Sequence, residues 1–141
     1  MLNVMSFTAP EPADRRAHRK SVELADNELV YELRELLGFQ LVADIGPVKE
    51  TRAVRQWVEG ERRPSAATMG RLRSAYLVAA ILHENYPAPV VRAWFSGLNP
   101  DLGDSTPAVL LRSGPPEQTG PVVLAAARAF IAADRSEEQG L

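Results

Sequence analysis

The 141-residue chain contains no cysteine, which excludes a disulfide framework and a thiolate zinc site. Its two histidines, His18 and His83, stand too far apart in sequence to form a local ligand pair, so neither a metal nor a cofactor is expected. Nowhere do about eighteen apolar residues run uninterrupted, and the opening MLNVMSFTAPEPADRR holds no apolar stretch of signal-peptide length. A soluble, cytoplasmic protein with no membrane partner is therefore expected. No segment of any length alternates with period two, and no glycine-rich loop places a lysine where a phosphate cradle needs one. The carboxylates are scattered; Glu84, Asp101 and Asp104 alone fall near an expected concavity, and no histidine joins them. Ser105 and Thr106 read as caps. No catalytic residue, no small-molecule substrate and no enzymatic activity are expected.

What the chain does have is enough apolar composition, 45%, to bury a core in one compact domain or two small ones. The net charge of −2 hides an asymmetry: residues 1–73 carry 12 Lys/Arg against 11 Asp/Glu, and residues 74–141 carry 4 against 7. The basic groups are concentrated early.

Residues 1–25 lack a sustained hydrophobic period and turn basic at DRRAHRK, which predicts a flexible basic arm able to touch phosphates. From Asp26 the leucines 29, 33, 36 and 37 recur at helical spacing up to Gly38. A short apolar helix follows over Phe39 to Ile45, closed by Gly46-Pro47, and a third runs from a capping Thr51 to Gly60. Thr68 to Asn85 reads as a long central helix, apolar nearly all round beyond Tyr76 and broken by Pro87 and Pro89. Val90 to Ser96, Pro107 to Arg112 and about Pro121 to Ala133 complete an all-α chain. The expected arrangement is a helix-turn-helix region over 26–86, packed through the long helix onto a small C-terminal helical domain over 87–141.

The third helix sets Val54, Trp57 and Val58 on one face and Arg52 and Arg55 on the other. Between Lys49 and Arg73 stand seven basic and three acidic residues, the local surplus that DNA contact requires. Lys49, Thr51, Arg52, Arg55, Arg62 and Arg63 are the expected DNA contacts, with the third helix in the major groove. The segment AVRQWVEGERRP resembles the end of the recognition helix and the following turn of Xre-type helix-turn-helix proteins, where the pattern TVxxWxxGxxxP recurs; Val54, Trp57, Gly60 and Pro64 match it. The connection GPVKET is about two residues longer than the usual turn, which leaves open a module that has kept the scaffold without binding DNA. Operator symmetry makes a homodimer the expected state.

Val90 to Gly114 places Ala93-Trp94-Phe95, then Asn99-Pro100-Asp101-Leu102-Gly103-Asp104, then Pro107-Ala108-Val109-Leu110-Leu111 and Gly114, ahead of a last helix from Val122 to Ala133. In order and spacing this resembles the toxin-binding domain of the Xre/MbcA/ParS antitoxins, with Asp104 where the family turn has its second glycine. Trp94, Phe95 and Leu98 are expected in the core. The resemblance implies an antitoxin that covers the active site of a RES-domain, NAD-degrading toxin with its C-terminal part and represses its own operon. On that reading Asn99, Asp101, Leu102, Asp104, Arg112, Arg128, Arg135, Glu137 and Glu138 face the toxin, and the tail from Ala133 to Leu141 is the occluding element. The alternative is a stand-alone helix-turn-helix regulator whose C-terminal region dimerises or binds another partner.

Overall fold

The computed structural model describes residues 11–139, which form eight α-helices and one 3-10 turn: α1 (Ala13–Glu23), α2 (Asp26–Leu37), α3 (Phe39–Ile45), α4 (Thr51–Glu59), α5 (Ala66–His83), α6 (Ala88–Ser96), the turn Pro100–Leu102, α7 (Pro107–Ser113) and α8 (Pro116–Gln139). The fold is all-α; no strand occurs among the described residues.

Helix α5 packs against α1, α2, α3, α6, α7 and α8, and Leu72, Ala75, Tyr76, Val78, Ala79, Ile81 and Leu82 are buried along it. Ser65 starts it, accepting the Thr68 N–H at 3.1 Å, which satisfies one of the donors every helix start leaves open. The core is one continuous cluster from Ala17 to Ile131. Contacts between the halves are not confined to α5, since α3 packs on α7 and α2 on α6. Small residues make the close crossings possible: a Cβ on Gly70 would lie 2.9 Å from Pro116, and one on Gly120 would lie 2.7 Å from the Ser74 hydroxyl.

Four expectations are corrected. Residues 13–23, expected within a flexible arm, form helix α1; residues 1–10 lie outside the described residues. The local pattern misled because α1 buries only Ala17 and Ser21, packs on the distant α5, and forms ion pairs with residues far away in sequence. Arg16 pairs with Glu84 at 3.1 Å, Lys20 with Glu32 at 3.1 Å, and Arg128 with Asp14 at 3.0 Å. The last helix begins at Pro116, so Pro121 is interior to it. Pro121 lies beyond the first turn, where it cannot donate to the carbonyl four residues back, and Thr119 donates its hydroxyl to the Pro115 carbonyl at 3.2 Å. Pro89 sits in the first turn of α6, where its fixed φ suits the helix, and does not break the chain there. Thr51 is the first residue of α4, whose cap position belongs to Glu50 without a side-chain bond.

Candidate nucleic-acid interface

Helices α3 and α4 pack on each other and on α2. Their connection, Gly46 to Glu50, is held by Val48 N–H donating to the Ala43 carbonyl at 2.9 Å and Ala53 N–H to that of Glu50 at 3.2 Å. Trp57 sets the angle of α4. Its indole is buried and lies against Gly46, where an added Cβ would come within 3.1 Å of the ring. Ala53, Val54 and Trp57 turn inward, and Gly60 in the left-handed region closes the helix.

With the apolar face fixed inward, helical geometry aims Arg52 and Arg55 at solvent. Lys49, Arg52, Arg55, Arg62 and Arg63 are all exposed, and Thr51 is half-buried. None of the five cations forms a salt bridge among the described residues. Arg62 instead donates to Gln56 Oε1 at 3.2 Å. Lys49, Arg52, Gln56 and Arg62 line one open groove of about 430 Å³ with Val48, Glu50 and Ala53. Arg62 and Arg63 also line a second, between Trp57 and Asp26. Arg55 takes a separate position, its guanidinium 5.2 Å from the centre of the Phe39 ring. The acidic rim is Glu59 and Glu61: a hydrogen bond between the two carboxyls, and their repulsion, hold Glu61 above the ordinary carboxylate range.

Arg73 adds nothing to this surface. It donates to Asp26 at 2.8 Å and to the Ser21 carbonyl at 3.0 Å, so its charge is used inside the fold. Gln56, one helical turn beyond Arg52 on the exposed face, belongs to the groove and is absent from the contacts expected above; the i to i+4 spacing was the available signal. Phe39 carried no such signal.

The residues expected to face a protein partner fall into separate places. Asn99, Asp101 and Asp104 share one turn. Asn99 Oδ1 accepts the Asp101 N–H at 2.9 Å, and the Asn99 backbone accepts from Asp104 at 3.0 Å and donates to Ser105 at 3.0 Å. Gly103 and Asp104 are both left-handed, with φ of 64° and 62°, a conformation that favours glycine and that aspartate tolerates better than most residues. Thr106 caps α7 by accepting the Val109 N–H at 3.0 Å. Leu102, expected on the partner face, is buried in the core, while Leu98, expected in the core, is 75% exposed; Trp94 and Phe95 are buried. The reversal follows from the turn, which points Leu102 back under α8 and leaves Leu98 outside it. Arg112 is exposed on α7, and Arg128, Arg135, Glu137 and Glu138 are exposed on α8. Arg128 and Arg135 line a groove with Asp14, Glu84 and Asn85 that includes none of the turn residues, and Arg135 donates to Asn85 Oδ1 at 3.0 Å. The expected occluding tail is helical to Gln139, and residues 140–141 lie outside the described residues.

Among the described residues no group of histidine and carboxylate side chains is arranged to hold a metal, and no helix is long and apolar enough to cross a membrane. No protein-family model matches the chain, and no curated protein or solved structure is detectably similar to it.

Proposed function

We propose that the chain is a DNA-binding antitoxin. On this reading α4 and its flanking turns dock on operator DNA, and the surface carrying Leu98, Asn99, Asp101, Asp104 and Val109 engages a toxin of the NAD-degrading RES type named by the resemblance above. The observation that carries the DNA half is the set of five exposed, unpaired cations around α4; of the eleven other lysines and arginines, six form ion pairs among the described residues. Exposed cations release counterions from duplex DNA when they meet phosphates. Support for the partner half is the pairing of exposed apolar side chains, Leu98 at 75% and Val109 at 47%, with a turn held rigid by its own hydrogen bonds. Such a surface loses little entropy on docking.

The test has two arms. Binding of the full chain to duplex from upstream of its own reading frame is expected to weaken steeply with salt. The product of the adjacent reading frame is expected to consume NAD and to stop when the chain is added. Absence of inhibition together with DNA binding leaves the stand-alone regulator as the correct reading; absence of both rejects the proposal.

A further inference from the structure

Around α4 the exposed cations are not equivalent. Arg55 is stacked on Phe39, and Phe39 is itself part of a ladder: Arg34 lies 4.9 Å from the Phe39 ring centre and 4.9 Å from that of Tyr31. Arg34 is neutralised by Glu35 at 2.8 Å, so the uncompensated charge of the ladder is that of Arg55. Lys49, Arg52 and Arg63 have no comparable support among the described residues.

From this difference we infer that Arg55 reads a guanine in the major groove and that Phe39 is its positioning residue, an inference that rests on the DNA-binding reading above. A phosphate contact is tolerant of direction and needs no fixed rotamer. Bidentate recognition of guanine O6 and N7 needs a guanidinium held in one plane. Stacking on an aromatic face supplies that plane, and ordering the arginine before DNA arrives lowers the entropy lost on binding. The ring is fixed from within the fold, because Phe39 starts α3 and packs against the core. Arg52, Lys49 and Arg62, lining their open groove, are left as sequence-independent phosphate contacts.

The experiment is selection from a random-duplex pool with the full chain, followed by affinity measurements on the selected duplex and on copies changed at one guanine. Arg55→Lys should lose about tenfold in discrimination at that guanine. Phe39→Leu should lose about threefold there, with the salt slope unchanged, and Phe39→Tyr should restore it. Arg52→Ala should weaken all duplexes alike and flatten the salt slope by about one. Thermal melts identify a Phe39→Leu chain that fails to fold, in which case Phe39→Tyr against Phe39→Met decides. Equal discrimination in the wild type and a folded ring-less variant overturns the role of Phe39. If the wild type binds duplexes without selecting any sequence, the reader assignment falls while DNA binding stands, and if it binds none, both fall.

Discussion

On the α1 side of α5, cations and carboxylates meet in pairs: Arg16 with Glu84, Lys20 with Glu32, Arg73 with Asp26, Arg128 with Asp14. On the α4 side, cations of similar density have no carboxylate partner among the described residues. The first arrangement joins a polar helix to the body of the protein. The second leaves positive charge facing outward along α4 and its flanking turns. Charge content is the same kind of evidence in both places, and the pairing separates an adhesive from a binding surface. A chain of net charge −2 still presents a basic surplus around α4, since five cations stand against three carboxylates, Glu50, Glu59 and Glu61, none of which forms an ion pair with them among the described residues.

The contrast is broken most strongly by the double substitution Arg52→Ala, Arg55→Ala. Duplex affinity should fall by a factor of about ten to a hundred, with stability moving by no more than about 0.5 kcal/mol because both side chains are exposed surface groups. A binding titration and a denaturant melt on the same sample check both halves.

Arg73→Ala should do the reverse. It should cost about 1–2 kcal/mol of stability in the same melt, since it leaves the Ser21 carbonyl without its donor as well as breaking the Asp26 pair. Little of that comes from the half-exposed ion pair itself. Duplex affinity of the folded fraction should be unchanged.

Tyr76 sharpens the comparison through pH. Its hydroxyl donates to Glu32 at 2.9 Å, and burial, with that bond, pushes the phenol above its ordinary range. Because the folded state holds the proton more tightly than the unfolded state, this stabilisation is complete below about pH 10 and is lost as the pH rises toward the elevated value. Melts between about pH 9 and 11 should show stability falling, with a shallower fall in Tyr76→Phe. That variant should cost about 1 kcal/mol at neutral pH.

The smallest effect is expected at Asp104→Gly. Relieving a left-handed aspartate at φ 62° should raise stability by about 0.5 kcal/mol, the strain removed exceeding the flexibility gained by the unfolded chain. A loss of stability on melting would mean that the aspartate side chain contributes more than its backbone costs.

Much of the fold was legible because the signals were local. Leucines at helical spacing marked α2, Trp57 and Gly60 marked the inward face and the end of α4, and Thr106-Pro107 marked the start of α7. Helix α1 was not legible, since it is anchored by Glu84, Glu32 and Asp14, partners that a window of neighbouring residues does not include for the first two and whose cation, Arg128, is distant for the third. The exchange of Leu98 and Leu102 between surface and core was equally hidden, because both are leucines in one turn and only its φ values decide which points inward. The exposed arginines of α4 could be read from spacing. The lack of ion-pair partners, and the aromatic support under one of them, depend on where α2 and α3 bring Arg34 and Phe39.

The most direct measurement of the central claim is the affinity of the full wild-type chain for duplex DNA from upstream of its reading frame across a range of salt concentrations. Five unpaired cations around α4 meeting phosphates or bases predict a logarithmic slope of about −3 to −5, made shallower by about 2 in the Arg52→Ala, Arg55→Ala chain if both contact phosphate and by about 1 if Arg55 reads a base. A slope near zero, or one that the double substitution leaves untouched, would contradict the assignment of α4 as the DNA-facing helix.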